Sequence, residues 1–454
     1  MAMNVLLVNP KSTNAFEMFG FVFPPLGLLY IAATAERAGH RITIEDFCIS
    51  GNKPERFDFN PYDVVGITTD TRRFPGALRI ARHAKAAGCT VVMGGPHPGF
   101  ADDEILRQNQ ADFIIRGEGE IPFPSLLNAL ENGADPAGVP GLSYLQDGTL
   151  RRTEPAPLID DLDSLPLPAR HLVDMEAYKR KGLKYGGKRP VAVLSSSRGC
   201  PHQCSFCVTP QMYGNRWRAR SSASVVAEME HVYHTYGYRA FAFCDDNFTV
   251  SPNRVKEVCE RILEKGLDVW WWCLSTPATL LRNEDMVRLM AQAGVKTVYL
   301  GVESANLSTL KDFNKSLKQD EPYRAIELLR RNGIEAFASF IIGGVSDDLA
   351  GVLRTIRFAK TLDSAVAQFT ILTPYPGTAL FAEIEPLLRH RKWQMFDGVH
   401  LVFRHRHIPY FLMELLLIWA YIRFYARGWR AVGNFFRALK NNTMFFKKVF
   451  GESR

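Results

Sequence analysis

Three cysteines in the middle of the chain have the spacing Cys-x3-Cys-x2-Cys: Cys200, Cys204 and Cys207. The apolar run 191–194 predicts a β-strand just before them, so they lie on a loop at the carboxyl end of that strand. Three thiolates on one loop can each bind one iron of a [4Fe–4S] cube, which leaves the fourth iron open to a small molecule. The alternative is a structural zinc site, but His202 is poorly placed to complete a tetrahedron with its own neighbours.

Acidic side chains follow two later predicted strands. The run Asp245-Asp246-Asn247 ends one strand, and Glu303 ends another. Burying a carboxylate without a partner at an apolar strand end costs free energy, so we expect a cation or hydroxyl groups to contact Glu303. The alternative for the run 245–247 is a helix N-cap, and the alternative for Glu303 is a structural salt bridge.

The cysteine spacing resembles the signature of the radical S-adenosylmethionine (radical SAM) superfamily. By that resemblance the three cysteines bind the cluster, and its open iron binds the amino and carboxylate groups of SAM. Electron transfer then cleaves the sulfonium to a 5′-deoxyadenosyl radical. The resemblance also implies four sets of SAM contacts. Phe206 contacts the adenine, and Asp245, Asp246 and Asn247 replace the Gly-Gly-Glu motif of the superfamily. Glu303 belongs to a Gly-x-Glu-Ser run that binds SAM, and the backbone of Gly343 and Gly344 contacts its adenosyl part.

Length and composition predict a globular protein of two or three domains. A chain of 454 residues is too long for one ordinary core, and 46% hydrophobic and 22% charged residues are typical of a folded chain. Eight cysteines without secreted-type pairing, and a start that resembles a strand, indicate a reducing cytoplasm. We expect the cysteines outside the motif to be small buried apolar residues. They are Cys48, Cys89, Cys244, Cys259 and Cys273.

Residues 1–149 alternate predicted strands and helices, which indicates a doubly wound, Rossmann-like parallel sheet in an α/β fold. The predicted strands are 4–8, 41–46, 63–68, 90–94 and 112–116, and the predicted helices are 26–39, 74–87 and 122–132. Small-residue turns at strand ends let a ligand approach the backbone closely. Ligands of such sheets bind at the carboxyl ends of the strands, so we expect a site there.

This segment resembles the cobalamin-binding domain that precedes the radical SAM domain in one large subclass. The resemblance implies a cobalamin site made by Thr68, Thr69, Gly94, Gly95, His97 and Gly117. Many such domains have Asp-x-His-x-x-Gly after the first strand, but the run 9–14 has no His. The alternative is therefore a domain that binds no cobalamin and serves as a lid or substrate platform. We expect His97 to be a loop histidine rather than a cobalt ligand.

Residues 150–188 are rich in Pro and charge and predict a linker, and βα alternation resumes over 189–385. The predicted strands are 191–196, 239–243, 269–274, 297–301, 335–342 and 366–372. Six βα units predict a partial (β/α)6 barrel, the radical SAM fold, with its active site at the carboxyl ends of the strands. The run 270–272 is Trp-Trp-Trp, which either lines a substrate cavity or belongs to the ordinary core.

Residues 386–454 predict a helical C-terminal region that is both basic and apolar. From Arg389 onward there are 13 Lys/Arg and three acids, so the net charge of +8 belongs to this region. The run 408–422 is nearly all apolar but too short and interrupted to span a bilayer. Flanking cations and aromatic residues favour a helix on anionic lipid, and the alternative is a helical cover of the barrel mouth. The aliphatic content argues against nucleic acid.

The two resemblances together imply an enzyme that cleaves SAM reductively at a [4Fe–4S] cluster and abstracts hydrogen from an unactivated carbon. The favoured reaction is cobalamin-dependent C-methylation of a lipid, isoprenoid or tetrapyrrole. The alternatives are radical cyclisation, rearrangement or C–C coupling, and a non-catalytic cobalamin or iron–sulfur sensor. We expect a small hydrophobic substrate and an electron donor such as ferredoxin or flavodoxin. The expected location is the cytoplasm, with peripheral contact at the inner membrane surface.

Overall fold

The computed structural model describes residues 2–11 and 22–426. The described chain forms two compact units, the first ending at Gly182 and the second beginning at Leu183. Each unit contains a seven-stranded sheet with helices between its strands. The predicted α/β fold class is confirmed.

The first unit contains seven strands and, among the described residues, six α-helices. The strands are β1 (Asn4–Asn9), β2 (Arg41–Asp46), β3 (Val64–Thr68), β4 (Thr90–Gly94), β5 (Phe113–Ile115), β6 (Leu142–Gln146) and β7 (Thr149–Arg152). The helices are α1 (Leu26–Arg37), α2 (Phe74–Ala86), α3 (Pro96–Phe100), α4 (Asp102–Arg107), α5 (Pro122–Glu131) and α6 (Met175–Lys181).

The first five strands are parallel, as predicted, in the order β2-β1-β3-β4-β5. From Val5 to Asn9 every residue of β1 is buried, which is typical of a parallel strand covered on both faces. The strand order reverses between β1 and β3. Ligands of doubly wound sheets bind at such a switch point, outside the carboxyl ends of the strands.

Strands β6 and β7 extend this sheet as an antiparallel hairpin that was not predicted. Its turn is Asp147-Gly148, with φ of 50° and 74°. Both angles are positive, as a type I′ turn requires, and Asp-Gly is a strong sequence signal for that turn. Strand β7 spans Thr149–Arg152, so the predicted domain boundary after residue 149 falls inside a strand.

The second unit contains nine strands and ten described α-helices. The strands are β8 (Lys184–Tyr185), β9 (Arg189–Leu194), β10 (Ser197–Arg198), β11 (Arg218–Ala219), β12 (Ala240–Phe243), β13 (Trp270–Ser275), β14 (Val295–Glu303), β15 (Glu335–Ile342) and β16 (Val366–Ile371). The helices are α7 (Thr209–Tyr213), α8 (Ser222–Tyr236), α9 (Pro252–Glu264), α10 (Pro277–Arg282), α11 (Glu284–Gln292), α12 (Leu307–Asp312), α13 (Glu321–Arg331), α14 (Leu349–Leu362), α15 (Ala379–Ile384) and α16 (Tyr410–Tyr425).

Six parallel strands of the second unit lie side by side in chain order, from β9 through β12, β13, β14 and β15 to β16. The short β8 pairs antiparallel with β9. Burial alternates along β13 and β16, so one face of the sheet is covered and the other is more open. This arrangement is the predicted partial barrel.

Helix α16 covers the outer edge of β16. The hydroxyl of Tyr421 donates to the carbonyl of Phe369 at 3.0 Å, and that of Tyr425 donates to the carbonyl of Ala367 at 3.0 Å. The tyrosines thereby satisfy edge groups that would otherwise pair with another strand. The predicted C-terminal helix is confirmed over this range, and residues 427–454, with Trp429, Phe435 and Phe436, lie outside the described residues. None of the described helices is long and apolar enough to cross a membrane.

Candidate active site

The three-cysteine loop lies between β10 and α7, where Cys200, Cys204 and Cys207 are half-buried free thiols. In the described chain, no three His, Cys, Asp or Glu side chains converge on a single metal ion. Thiolates that each bind a different iron of a cube need not converge on one point. Burial raises the pKa of Cys204 to about 11, and the nearby Lys315 opposes that shift by favouring the thiolate. The donor set is therefore chemically suited to a cluster with one open iron.

The loop begins at a residue that must be glycine. Gly199 has a φ of 85°, which L side chains rarely adopt. A Cβ added there would clash with the carbonyl oxygen of Arg216. That close approach occurs where β10 pairs with β11 and turns the chain into the cysteine loop.

Asp246 holds both ends of the cysteine loop. One carboxylate oxygen accepts from the backbone N–H of Gly199 at 3.2 Å, and the other accepts from the Thr209 hydroxyl at 2.9 Å. Burial raises the pKa of Asp246, and these two hydrogen bonds oppose the shift. Asp246 therefore belongs to the site, in direct contact with the segments before Cys200 and after Cys207.

Asp245 and Asn247 lie beside Asp246, but neighbouring groups occupy their oxygens. Buried Asp245 accepts from the Ser196 N–H at 2.7 Å, the Ser196 hydroxyl at 2.6 Å and the Ser197 hydroxyl at 2.5 Å. The Asn247 oxygen accepts from the N–H and hydroxyl of Thr249, both at 3.2 Å. Asp245 thereby fixes the chain between β9 and β10, and Asn247 closes a turn.

The segment after α12 holds the opposite side of the cysteine loop. The Ser205 N–H donates to the Phe313 carbonyl at 3.1 Å, and the Asn314 side chain donates to the Gln203 carbonyl at 2.9 Å. Phe206 meets Phe313 edge to face, with ring centroids 5.0 Å apart. These contacts join the loop to a segment that the sequence did not single out.

Glu303 ends β14 beside a register shift in its pairing with β15, and its φ of 63° is unusual for a residue other than glycine. Its buried carboxylate forms an ion pair with the half-buried Lys315, with Oε1 and Nζ 2.9 Å apart. A Cβ at Gly301 would lie 2.5 Å from the same oxygen, so glycine makes room for the pair. Burial opposes the charge of Lys315, but Glu303 and Cys204 outweigh it and raise the pKa of the lysine. Lys315 was not predicted, because only the fold brings it to Glu303.

Protein side chains fill the space beside Gly343 and Gly344. A Cβ at Gly343 would lie 2.7 Å from the methyl of Met413 in α16, and one at Gly344 would clash with Thr309. His405 donates through Nε2 to the Gly344 carbonyl at 2.8 Å. On its Cβ side this turn therefore packs against α12 and α16.

The cysteines outside the motif are buried as predicted at Cys89, Cys259 and Cys273, and half-buried at Cys48. The prediction is wrong for Cys244, which is solvent-exposed. Cys244 directly follows β12, whose last residue Phe243 is buried against Trp271, so alternation turns Cys244 toward the opposite face of the sheet. The surrounding protein desolvates this thiol and raises its pKa to about 12.

The open face of the curled sheet is aromatic at its centre. In β13, Trp271 is buried, whereas the neighbouring Trp272 is partly exposed, and its buried indole N–H has no hydrogen-bond partner among the described residues. Tyr299 and Phe337 are paired across β14 and β15, with ring centroids 4.8 Å apart. The Tyr299 hydroxyl donates to Gln368 at 3.2 Å, and burial raises its pKa to about 12. This face can accommodate flat apolar groups.

In the first unit, the turns after β3 and β4 lie side by side. Thr68 pairs with Gly94, and Gly95 has a φ of 103° with its Cβ position 2.6 Å from the Thr69 carbonyl oxygen. Gly117 follows the neighbouring β5, and no heavy atom of the described residues lies within 4 Å of its Cβ position. The predicted residues thus meet along the carboxyl edge of the sheet, with open backbone at Gly117.

His97 lies in α3 rather than in a free loop. It is buried, its ring lies 4.2 Å from that of Phe74, and its Nδ1 lies 3.2 Å from the Thr71 hydroxyl. Burial lowers the pKa of His97 to about 4. At the end of β1, Asn9 donates to Asp46 at 3.0 Å. Residues 12–14 of the run that has no histidine lie outside the described residues.

Comparison with known proteins identifies both units. Residues 194–359 match the family model of the Radical SAM superfamily, and residues 15–127 match that of the B12 binding domain. An uncharacterized methyltransferase of Pyrococcus horikoshii is 36% identical over 436 residues, covering 94% of this chain and 93% of the relative. The chain belongs to the radical SAM superfamily. It carries an N-terminal B12-binding domain, as the sequence predicted.

Two further comparisons agree with this assignment. An anaerobic magnesium-protoporphyrin IX monomethyl ester cyclase of Synechocystis sp. is 32% identical over 90% of this chain and 82% of the relative. The radical SAM methyltransferase TsrM from Kitasatospora setae, solved with cobalamin and a [4Fe–4S] cluster, matches with a TM-score of 0.69 and 22% identity, over 85% of this chain and 75% of that chain. The structural likeness shows the fold.

The protein is therefore a cobalamin-dependent radical SAM enzyme, and the predicted cofactors are a [4Fe–4S] cluster, SAM and cobalamin. Its residues fit these groups. Three free thiols follow a turn that only glycine can make, and small-residue turns leave open backbone at the carboxyl edge of the first sheet.

Proposed function

We propose that this enzyme is a C-methyltransferase that acts on a hydrophobic substrate. The observation that carries the proposal is the three-thiol loop, which is held at the carboxyl ends of the barrel strands in a unit whose open sheet face is aromatic. When bound, the cluster and SAM supply the hydrogen-abstracting radical, and cobalamin supplies the methyl group. We assign the cobalamin to the first unit and the radical chemistry to the second.

In this proposal Cys200, Cys204 and Cys207 hold the cluster, and Asp246 fixes the two ends of their loop. Phe206 orients the adenine, with its own ring fixed by the edge-to-face contact to Phe313. The pair of Glu303 and Lys315 presents a carboxylate and an ammonium beside Cys204, which suits the amino and carboxylate groups of SAM.

Four of the predicted SAM contacts take a supporting role in this proposal. We assign neither Asp245 nor Asn247 to SAM. Asp245 positions the chain before the loop through Ser196 and Ser197, and the Asn247 oxygen closes a turn with Thr249. Gly343 and Gly344 allow α16 and α12 to pack closely behind the site. The Gly344 N–H already donates to Asp347 at 2.9 Å, so we assign only the face of this turn opposite the Cβ positions to the adenosyl moiety.

For cobalamin we propose the turns that carry Thr68, Thr69, Gly94, Gly95 and Gly117. They lie along one sheet edge, next to the point where the strand order reverses. The buried ring of His97 is committed to Thr71 and Phe74, which supports a structural role for it rather than cobalt ligation.

Relatives support methylation over ring formation. The 36% identical relative is named a methyltransferase, and two others are named a bacteriochlorophyllide d C-12(1)-methyltransferase and a hopanoid C-3 methylase. The 32% identical cyclase makes radical cyclisation the second candidate. All three named substrates are hydrophobic, and Trp272, Tyr299 and Phe337 offer matching aromatic surface on the open face of the barrel.

The test is a labelled-methyl assay on the anaerobically reconstituted enzyme. The enzyme is loaded with iron, sulfide and hydroxocobalamin, gel-filtered, and incubated with a reductant and trideuteromethyl-SAM. A hopanoid and bacteriochlorophyllide d serve as probe substrates, and mass spectrometry follows the label. We expect a product heavier by one labelled methyl group, with 5′-deoxyadenosine and S-adenosylhomocysteine formed in equal amounts.

Other results would distinguish the alternatives. Deoxyadenosine with an unlabelled, cyclised product would support the second candidate. A loaded cluster with no bound cobalamin would overturn methylation, and failure of the reduced protein to cleave SAM would leave a sensor. The Cys204→Ala variant is the matched control, because it removes one thiol and leaves the first unit unchanged.

A further inference from the structure

Helix α16 presents an apolar face to solvent. Five of its large side chains are each 46–57% exposed: Phe411, Leu415, Ile418, Trp419 and Ile422. At about 100° per residue they fall within about 100° of the helix surface, and we call them the outer face of α16. The opposite side of the helix is buried at Met413, Leu416, Leu417, Ala420 and Phe424. The helix is therefore apolar on two opposite sides, of which the described residues cover one.

Exposed arginines lie near both ends of α16, and the helix itself contains one acid, Glu414. At its beginning the Arg389 guanidinium lies 3.9 Å from the ring centroid of Tyr410, and Arg404 and Arg406 are exposed just before the helix. Arg423 is exposed in the last turn. The following residues, 427–454, contain seven Lys/Arg and one acid, so the positive charge continues along the sequence.

A large exposed apolar patch marks a contact with another surface, which here is either a lipid bilayer or a second copy of the chain. A two-fold dimer through this face would bring the arginines of one copy against those of the other, and like charges at an interface are unfavourable. An anionic bilayer offers apolar acyl chains to the outer face and negative headgroups to the arginines. Charge complementarity therefore favours the bilayer.

We propose that the outer face of α16 docks on an anionic lipid bilayer and lies in its interface. Phe411, Leu415, Ile418, Trp419 and Ile422 enter the headgroup–acyl boundary, while Arg389, Arg404, Arg406 and Arg423 contact lipid phosphates. In this proposal the contact is peripheral, because α16 lies in the interface rather than across the bilayer. The proposal is independent of which reaction the enzyme catalyses.

The test is vesicle binding by the full-length protein. Sedimentation with vesicles of phosphatidylcholine and phosphatidylglycerol gives the partition coefficient, and phosphatidylcholine alone gives the contribution of charge. We expect the double variant L415S/I418S to bind the anionic vesicles at least about tenfold more weakly. The matched control is L263S/L349S, which removes two leucines of similar exposure, 44% and 43%, from α9 and α14. It should bind as the natural protein does.

A position-specific readout comes from Trp419. Brominated acyl chains should quench part of the tryptophan fluorescence of the natural protein, and the Trp419→Phe variant should lose that quenching while it still binds. If L415S/I418S bound the anionic vesicles as tightly as the natural protein does, the proposal would be overturned, because cations elsewhere would then account for the binding. Self-association that L415S/I418S abolishes, without vesicle binding, would also overturn it in favour of a second copy. Thermal unfolding confirms that each variant is folded.

Discussion

Replacing Lys315 with methionine should destabilise the second unit in a pH-dependent way. The exposed fractions of the Glu303 and Lys315 side chains are only 9% and 15%, so the variant leaves a buried carboxylate without its cation. Removing one partner of a buried pair costs about 3–5 kcal/mol. A glutamate without a paired cation can become neutral by taking up a proton. For an ordinary glutamate that costs about 3.7 kcal/mol at pH 7 and about 1 kcal/mol at pH 5. We therefore expect Lys315→Met to cost about 3–4 kcal/mol at pH 7 and about 1 kcal/mol at pH 5.

Tryptophan fluorescence measures this cost in the second unit alone, because all seven tryptophans lie at or after residue 217. Urea unfolding of cluster-free protein under anaerobic conditions gives the midpoint, which should fall by about 1 M at pH 7 if the urea slope is about 3 kcal/mol per molar. The double variant E303Q/K315M is the control. It carries no unpaired charge, so its loss of stability should be smaller and equal at the two pH values.

The reasoning fails if Lys315→Met costs less than about 1 kcal/mol at pH 7, or if its cost is the same at both pH values. Either result would mean that water or another cation compensates Glu303. A double variant no more stable than Lys315→Met would equally refute the ion pair as the source of the effect.

Three further predictions concern the loop and the first unit. Gly199→Ala should at least halve the iron bound after anaerobic reconstitution, whereas Gly333→Ala, also at positive φ but with open space, should not. Asp246→Ala should speed the loss of iron on gel filtration, because the Gly199 N–H and the Thr209 hydroxyl lose their acceptor. Burial lowers the pKa of His97 from 6.5 to about 4, so the unfolded chain binds more protons between these values. The first unit should then lose up to about 3 kcal/mol as the pH falls from 7 to 4, and His97→Asn should remove that loss in urea unfolding followed by circular dichroism.

The strands of both sheets could be predicted because parallel strands are nearly continuous apolar runs, and the helices between them have an apolar stripe. The hairpin of β6 and β7 was missed for the opposite reason. Its strands are short and half-exposed, and its local signal was the turn Asp147-Gly148 rather than an apolar run.

The candidate site likewise has one part that could be predicted from the sequence and another that could not. The cysteine loop and the acidic run could be located by spacing and by their positions after strands. The partners of those residues could not, because they are set by tertiary contacts. Asp245 and Asp246 are adjacent in sequence, yet one is held by Ser196 and Ser197 and the other holds Gly199 and Thr209. Only the folded structure shows which side chain of the run 245–247 contacts which part of the chain.

One short segment connects the two halves of the second unit's site. Phe313 and Asn314 contact the cysteine loop through the Phe313 carbonyl and the Asn314 amide, and the next residue, Lys315, pairs with Glu303. Asn314 has a φ of 49°, a conformation that asparagine adopts more readily than most residues. It lies between Phe313, which contacts the cysteine loop, and Lys315, which contacts Glu303. A change in the ion pair at Glu303 is therefore transmitted to the cysteine loop within two residues. For this reason the carboxylate at the end of β14 and the thiols after β10 should be regarded as one structural unit, even though 95 residues lie between Cys207 and Glu303.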